Sequence, residues 1–279
     1  DNDDYMSKGY VPLREQYDNS VSHALEYYIA DFALSRFAEA LGKKKDAEMF
    51  YKRSLGYKHY YSKEFGTFRP ILPDGTFYSP FNPRQGENFE PNPGFHEGSA
   101  WNYSFYVPHD VYGLAKLMGG KNPFIKKLQM VFDEGLYDPA NEPDIAYAHL
   151  FSYFRGEEWR TQKETQRLLD KYFTTKPNGI PGNDDTGTMS AWAIFNMIGF
   201  YPDCPGLPEY TLTTPVFNKV TIRLDPKWYK EKELVIESNR TQPGTLYINK
   251  VLLNGKKFNQ YRITHDELVH SQRILFDLK

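Results

Sequence analysis

The chain has 279 residues, of which 40% are hydrophobic, which is enough to bury a core in one large domain or two smaller ones. It carries 34 Lys and Arg residues against 36 Asp and Glu residues, so no basic surplus is present to neutralise phosphates. A nucleic-acid or acidic-membrane partner is therefore not expected. The single cysteine, Cys204, excludes a disulfide framework within the chain. No apolar run reaches the ~18 residues that a membrane-spanning helix needs.

The first two-thirds of the sequence has the spacing of paired helices. Apolar residues recur at helical intervals over 20–41 and predict a helix that ends before Gly42. A second helix is predicted after a short turn. Two more are predicted from Val111 onward, and the later of these has Asn122 as its cap and Pro123 at its first position.

The next predicted elements are a long loop and three further helices. The segment 66–98 is rich in Pro, Gly and Asn, and irregular connections of this length are usually functional. Helices are predicted over 143–154, 157–173 and 188–198, and the last is apolar nearly all round, as a helix buried on every side is. Helices paired in this way predict the later hairpins of an (α/α)6 toroid.

From about Tyr210 the apolar pattern changes to alternation. Short β-branched or alternating runs are separated by turn signals such as Asn254-Gly255. This pattern predicts a small antiparallel β-sandwich. The predicted fold is therefore mainly α with an appended β region, with 1–208 forming part of the helical domain and 209–279 the sandwich strands.

The sequence lacks the motifs of phosphate transfer, hydride transfer and thiol chemistry. Carboxylates at loop-to-helix junctions remain, and Glu97 is the first of them, beside Trp101, Tyr103 and Tyr106. Aromatic walls remove water from a carboxylic acid and favour its protonated form, as a general acid needs. The alternative is a helix-start carboxylate stabilised by the helix dipole. His109, which precedes an aspartate, is interpreted more readily as part of a buried cap than as a catalytic group.

Two further acidic sites precede predicted helices. Glu142 stands before a proline at a helix start, which is a plain capping arrangement. Asp184 and Asp185 are adjacent acids between glycines, and they could bind calcium, hold a water for attack or form a solvated turn. Because glycoside hydrolysis needs one acid and an opposed base, Glu97 and the aspartate pair fit those roles.

Four separate stretches of the sequence together resemble glycoside hydrolase family 92, the calcium-dependent exo-α-mannosidases. They are GYVPLREQYDNSVSHALEYYIADFALSRFAEALGK, EGSAWNYSFYVPHDVYGL, NEPDIAY with EEWRTQKE after it, and GNDDTGTMSAWAIFNMIGFYPDCPG. The similarity extends over essentially all 279 residues. It implies an exo-acting α-mannosidase that removes terminal α-linked mannose from glycans such as N-glycans with inversion.

The resemblance also implies roles for individual residues. Glu97 would be the general acid and Asp185 the general base, about 6.5–9.5 Å apart to leave room for a water. Asp184, or Asn183, would assist the base. The expected substrate-binding residues are Glu142, Trp101, Asn141 and His109, and the expected calcium ligands are Asp144 and Asp185.

One departure from the family pattern affects the predicted linkage. Many relatives continue the Asn-Glu-Pro motif with Ser-His-His, whereas this chain has Asp144, Ile145 and Ala146. Glu142 in that loop is expected to contact the leaving-group sugar, so α1,2, α1,3, α1,4, α1,6 and mannose-phosphate bonds all stay open.

The resemblance implies that the family's N-terminal β-sandwich domain lies outside this chain, so that the isolated chain would lack part of the sugar pocket. A periplasmic or secreted location is expected on the same ground. Two other readings stay open. An (α/α)6 lyase or phosphorylase would share the fold, but the acidic motifs do not supply the cation that a lyase needs. A non-catalytic carbohydrate-binding protein would not need the acids Glu97 and Asp185.

Overall fold

A computed structural model of the chain describes residues 2–15, 18–86, 92–242 and 244–279. These residues form two compact units. The first unit comprises Asp1–Tyr147 with Cys204–Leu207, and the second comprises Ala148–Asp203 with Pro208–Lys279. No helix among the described residues is long and apolar enough to cross a membrane. The predicted domain boundary after residue 208 stays a prediction.

The first unit is mainly helical. Its α-helices are α1 (Asn2–Lys8), α2 (Ser20–Ala40), α3 (Lys44–Ser54), α4 (Ala100–Tyr103), α5 (Val111–Leu117) and α6 (Lys121–Asp133). Short 3-10 helices cover Leu55–Tyr60, Pro108–Asp110 and Glu142–Asp144. Strands β1 (Tyr61–Ser62) and β2 (Thr67–Phe68) pair as a short antiparallel hairpin. The rest of the predicted long loop is mostly turns, except that residues 87–91 lie outside the described part of the chain.

Helix α2 forms as predicted, and helix α6 starts two residues earlier than predicted. The buried residues of α2 include Val21, Leu25 and Tyr28, and the helix ends just before the left-handed Gly42. The prediction that α6 begins at Pro123 with Asn122 as its cap is wrong. Glycines at 119 and 120 both adopt positive φ and turn the chain, so that the helix begins at once. Proline is tolerated in the first turn because its missing N–H is not needed there.

The segment 143–154 is not the α-helix that the sequence predicts. It forms two 3-10 pieces, Glu142–Asp144 and Tyr147–Tyr153. Asp144 accepts a hydrogen bond from the backbone N of Asp138 at 2.7 Å, which binds the first piece to the preceding loop. This hydrogen bond ties Asp144 to the loop that precedes it, and the chain does not continue as an α-helix.

The second unit combines helices and sheets. Its α-helices are α7 (Glu158–Tyr172), α8 (Thr188–Ile198) and α9 (His265–Val269). Its strands are β3 (Phe200–Tyr201), β4 (Glu209–Leu212), β5 (Lys219–Arg223), β6 (Glu233–Arg240), β7 (Ile248–Leu253), β8 (Lys256–Phe258), β9 (Arg262–Thr264) and β10 (Arg273–Leu278).

The strands form two sheets that share one apolar core, as the predicted sandwich requires. One sheet has the order β5-β6-β10-β7-β8 and the other the order β3-β4-β9. Buried side chains of both sheets, such as Leu212, Ile236 and Phe276, belong to the same cluster. The prediction of a wholly antiparallel sandwich is wrong in one pairing, because β10 runs parallel to β6. Strand β10 follows helix α9 and not a tight turn, and such a connection permits parallel pairing.

Helix α8 has the predicted bounds, but the prediction that it is buried on every side is wrong. Met189, Trp192, Ala193 and Asn196 are buried, whereas Ile194 is 57% exposed. Only one face of the helix is covered by the described residues. The other face is also apolar, which is why complete burial was predicted, but the described residues leave it exposed.

Candidate active site

Glu97 lies in a tightly held loop with its side chain outside the core. The N–H of His96 donates to Ser22 Oγ at 2.9 Å, and the Tyr103 hydroxyl donates to the His96 carbonyl at 2.5 Å. Asn141 Nδ2 donates to the Glu97 carbonyl at 3.0 Å. The Glu97 side chain is 60% exposed, with Oε1 at 3.7 Å from His96 Nε2. The loop therefore fixes the backbone of Glu97 and leaves its carboxyl accessible.

The expectation that aromatic side chains desolvate Glu97 is wrong for this chain. Its carboxyl is mostly exposed, whereas Trp101 and Tyr103 are buried at 8% and 4% exposure. Burial raises the pKa of the Tyr103 hydroxyl, and the nearby charge of Glu97 adds to the rise. The aromatic rings contribute mainly to the core beneath the loop. They do not form walls around the acid.

The loop of Glu97 and the loop of Glu142 are joined through Asn102. The side-chain oxygen of Asn102 accepts from the N–H of Ser99 at 2.8 Å, in a capping box that starts α4. Its Nδ2 donates to Asp144 Oδ2 at 2.8 Å. A Cβ added to Gly98 would lie 3.1 Å from side-chain atoms of both Asn102 and Asn141. The glycine after Glu97 therefore allows the two loops to approach closely.

Asp144 is the buried acid of this region. It has no exposed surface, and burial raises its pKa well above the usual range, although hydrogen bonds from Asp138 and Asn102 oppose the rise. Its Oδ1 is buried and has no hydrogen-bond partner. A free carboxylate oxygen is the kind of ligand that calcium takes. Asp144 thus fits one position of a calcium shell.

The remaining calcium ligands are not supplied by an acidic cluster. Within the described ranges, no group of three or more His, Cys, Asp or Glu residues is arranged to hold a metal ion. Asp185, the other expected ligand, belongs to the second unit. The fit to calcium is therefore partial, and the cofactor stays a prediction.

Glu26 is a site residue that the sequence reasoning missed. Its Oε1 accepts from the Tyr106 hydroxyl at 2.9 Å. Burial raises the pKa of Glu26, the Tyr106 hydrogen bond opposes the rise, and the charge of Glu142 adds to it. The side chain is nevertheless accessible to solvent. Glu26 therefore combines an accessible carboxyl with close protein neighbours, and Glu142 is near enough for its charge to act on Glu26.

Glu26 carries no sequence signal of its own, and its link to the site is seen only in the structure. Glu26 stands one helical turn after Ser22, the residue that holds the backbone of His96, on a helix that is otherwise largely apolar. Side chains four residues apart lie on the same face of a helix. An isolated carboxylate on the face that carries Ser22 therefore points to the same site.

Two of the expected substrate-binding residues have structural contacts. Asn141 is 9% exposed and bonds to the backbone of Glu97, which makes it a positioning residue for the loop. His109 lies in an aromatic setting: Nε2 is 3.0 Å from the Ser54 carbonyl, and the ring lies 5.5 Å from Phe32 and 6.0 Å from Tyr57. Direct contact of either residue with a substrate stays a prediction.

In the second unit, Asp184 and Asp185 differ sharply although they are adjacent. Asp184 accepts from the backbone N and the hydroxyl of Ser190 at 2.8 and 2.7 Å, and these bonds lower its pKa. Asp184 therefore anchors the loop to the start of α8. The carboxylate of Asp185 is exposed, and among the described residues it accepts no hydrogen bond. Asp185 is thus the acid that is free to meet a ligand.

The backbone at both predicted catalytic acids is left-handed. The non-glycine residues with positive φ in the described part of the chain are Glu97 (49°), Asp185 (39°), Thr186 (62°) and Asn254 (48°). The positive φ of Asn254 is explained by the hairpin turn that Asn254 and Gly255 form. The other three have no such turn, and each costs of order 1–3 kcal/mol. Strain of this kind clusters at functional sites, so the backbone at Glu97 and at 185–186 suggests a function there, and the catalytic roles of Glu97 and Asp185 stay predictions. The predicted distance between them stays a prediction, since they belong to different units.

The whole chain, residues 1–279, matches the glycosyl hydrolase family 92 catalytic domain. It is similar to the structure of a family GH92 α-mannosidase from Bacteroides thetaiotaomicron in complex with mannoimidazole, with a TM-score of 0.91 and 30% identity. It is also similar to a family GH92 inverting mannosidase from Bacteroides thetaiotaomicron VPI-5482, with a TM-score of 0.88 and 31% identity. Both similarities cover 99% of this chain.

The same comparisons show how much of each relative the chain represents. An uncharacterized secreted glycosidase from Arthroderma benhamiae is 26% identical over 288 residues, which take in 94% of this chain and 37% of that protein. The two mannosidase chains are covered to 38% and 39%. The chain therefore spans under two-fifths of the length of these relatives.

Proposed function

This chain belongs to glycosyl hydrolase family 92, and we propose that it supplies the acid and the base of an exo-acting α-mannosidase that inverts the anomeric carbon. The observation that carries the proposal is the left-handed backbone at Glu97 and at Asp185, since each exposed carboxylate is held by a strained loop. The names of the two bacterial structures, an α-mannosidase and an inverting mannosidase, support the substrate and the stereochemistry.

In the proposed reaction, the two carboxyl groups act on opposite faces of the sugar. Glu97 gives its proton to the glycosidic oxygen as the bond to the anomeric carbon breaks. Asp185 takes a proton from a water that attacks the anomeric carbon from the other face, so an α-linked mannose leaves as the β anomer. Asp184, whose oxygens are both bonded to Ser190, holds the loop and thereby positions Asp185.

The leaving-group side of the site is assigned to a pair of glutamates. Glu142 is exposed on the loop that Asn141 ties to Glu97, and the charge of Glu142 acts on Glu26. Carboxylates accept hydrogen bonds from sugar hydroxyls, and Tyr106 fixes the orientation of Glu26. We therefore add Glu26 to Glu142 as a residue that binds the leaving-group sugar and helps to determine the linkage.

Calcium and location complete the proposal. Asp144 Oδ1 would be one calcium ligand, and the ion, when bound, would polarise sugar hydroxyls; no proton-transfer step is assigned to it. A periplasmic or secreted location is supported by the fungal relative, which is described as a secreted glycosidase.

The proposal is tested on the full-length protein with a panel of α-linked mannobioses, with the released anomer followed by NMR. Glu97→Gln and Asp185→Asn are each expected to lower kcat by at least ~10²-fold, the usual contribution of a general acid or base. Glu39→Gln, at a 63% exposed surface glutamate, and Asp225→Asn, in an exposed turn, are the matched controls and should leave kcat unchanged.

Four results would each change the proposal. Initial release of the α anomer would mean retention and would remove the role of Asp185 as a base. Full activity in Glu97→Gln would remove its role as the acid. Failure to cleave any linkage, with mannose-phosphate substrates included, would favour a carbohydrate-binding protein. Activity that survives a chelator would remove calcium from the mechanism.

A further inference from the structure

The second unit contains a cavity that the proposed reaction does not use. Its volume is about 860 Å³, and it lies between the 152–158 segment and the 259–262 segment. None of the predicted catalytic or substrate-binding residues lines it. The volume falls in the upper part of the range of small-molecule sites, roughly 300–1,000 Å³. It is therefore large enough to accommodate several sugar rings.

One wall of this cavity is held rigidly by a buried carboxylate. Asp203, with no exposed side-chain surface, accepts from the Tyr153 hydroxyl at 2.8 Å and from Arg262 Nη1 at 2.9 Å. Thr211 Oγ1 donates to the same carboxylate at 3.0 Å. The Arg262 guanidinium lies 3.9 Å from the centre of the Tyr153 ring. An aromatic wall fixed in this way loses little conformational entropy when a ligand binds.

A second cavity continues the first. Its volume is about 520 Å³, and both cavities are lined by Glu158 and Tyr261. It contributes two exposed aromatic side chains, Trp159 at 40% and Tyr247 at 36%. We call the two cavities together the Tyr261 groove. Aromatic faces therefore occur along its length.

Charged side chains of both signs line the Tyr261 groove beside polar amides, with Arg155 and Lys279 as cations and Glu158 as an anion. Asn259 and Gln260 offer amide donors and acceptors. The charge of Arg262 is already balanced by Asp203 and by Glu209, whose Oε2 lies 3.1 Å from Nη2. A phosphate or a uronate would meet the carboxylate of Glu158, which lines both cavities, and would have to compete with Asp203 and Glu209 for Arg262. Amides beside aromatic faces are instead suited to the hydroxyls and apolar faces of sugar rings.

We propose that the Tyr261 groove is a binding site for a neutral oligosaccharide, separate from the residues that would cleave it. The ligand class follows from the lining, and its identification as mannose-containing rests on the proposed function. Such a site would hold a second part of a large glycan. It would raise the affinity for long substrates and leave small ones unaffected.

The first test measures cleavage of a long and a short substrate by the full-length protein. Trp159→Ala and Tyr261→Ala are expected to raise KM for linear α-mannotetraose about tenfold, with kcat unchanged. Both variants should leave KM and kcat for 4-nitrophenyl α-mannoside unchanged. Trp228→Ala is the matched control, since Trp228 is 72% exposed in the same unit but does not line the groove, and it should change neither substrate.

The second test measures binding and does not depend on catalysis. Calorimetric titration of the full-length Glu97→Gln protein with α-mannotetraose, in which cleavage is slowed, is expected to show a site that a further Trp159→Ala change weakens about tenfold and that Trp228→Ala leaves intact. If this binding is observed but the native protein cleaves no α-mannoside, the groove proposal is supported and the proposed function fails. If the protein cleaves mannosides but the groove variants bind and cleave α-mannotetraose like the native protein, the groove proposal is overturned. A lower Tm in Trp159→Ala with unchanged binding would likewise overturn it, because the groove would then be covered by protein.

Discussion

Acidification is expected to destabilise the first unit through His109. The ring nitrogen Nε2 lies 3.0 Å from the Ser54 carbonyl, which can only accept, so Nε2 carries the proton. The other nitrogen, Nδ1, is buried and has no hydrogen-bond partner. Protonation of Nδ1 would therefore place a positive charge in an aromatic setting with no acceptor for the new N–H.

The size of the expected loss of stability follows from the pKa of His109. Burial lowers the pKa of His109 to about 4 from an ordinary value of 6.5, although Ser54 and Asp110 oppose the fall. Below pH 6.5 the unfolded chain binds a proton that the folded chain does not. Stability is thus fully present above pH 6.5 and is lost as the pH falls toward 4. Between pH 7 and pH 5 the loss is about 2 kcal/mol, out of about 3 kcal/mol in total.

The assay is urea denaturation of the full-length protein at pH 7 and pH 5. His109→Gln is the informative variant, since its side-chain amide can donate to the Ser54 carbonyl as Nε2 does but does not titrate. It is expected to remove about 2 kcal/mol of the difference between the two pH values. His270→Gln, at an exposed histidine, is the control and should leave that difference unchanged.

The same loss of stability in His109→Gln and in the native protein would refute this reasoning. An NMR titration offers a second check, and a His109 pKa near 6.5 would mean that the ring is not buried as described. A His109 resonance that responds directly to a bound mannoside would instead support the substrate-binding role that the family resemblance implies.

Three further changes test the contacts that organise the two units. Tyr106→Phe removes the hydrogen bond to Glu26 and is expected to raise KM for mannobiose about fivefold. Asp203→Asn removes the buried counter-charge of Arg262, and the free energy of unfolding should fall by about 3 kcal/mol in urea denaturation. Gly199→Ala should cost about 2 kcal/mol or more in the same assay, because φ is 117° and the new Cβ would lie 2.8 Å from a proline ring.

Each of these changes has its own control. Tyr112→Phe, at a 62% exposed tyrosine, should leave KM unchanged, and an equal effect of both tyrosine variants would remove Glu26 from the site. Glu237→Gln breaks a surface ion pair with Arg273 and should cost under about 1 kcal/mol. Gly120→Ala has a similar φ of 107° but no atom within 4 Å of the new Cβ, so it measures the backbone strain without the clash. Equal losses at the two glycines would mean that the clash is unimportant.

The regular helices and strands were predictable because their apolar periodicity is local. Helix α8 has the predicted bounds 188–198, and the period-two runs around 220 and 274 are strands. The errors arise where a contact outside the helical or strand repeat determines the structure. The 3-10 pieces after Asn141 depend on a hydrogen bond from Asp138 to Asp144, and the parallel pairing of β10 depends on β6, more than thirty residues earlier. Neither contact leaves a periodic signal.

For the site, the catalytic roles of the acids stay predictions, whereas their predicted surroundings can be compared with the structure. Glu97 and Asp185 were identified from motifs and from their positions before helices, and both have the left-handed backbone that suggests function. The exposure of the Glu97 carboxyl was not predictable from aromatic neighbours in sequence, because Trp101 is buried in the core and does not cover the acid. Glu26 was missed because it lies far from the acid motifs along the chain and reaches them only through the helix face that it shares with Ser22.

The central position of β10 has a consequence for the order in which the second unit can fold. The strand lies between β6 and β7 and pairs with both, yet it is made of residues 273–278. Until those residues have been synthesised, β5-β6 and β7-β8 exist as two separate hairpins with no strand to join them, and isolated hairpins are marginally stable. The sheet therefore closes late, and a ribosome that stalls only a few codons before residue 273 would hold a chain with two open edges exposed to aggregation.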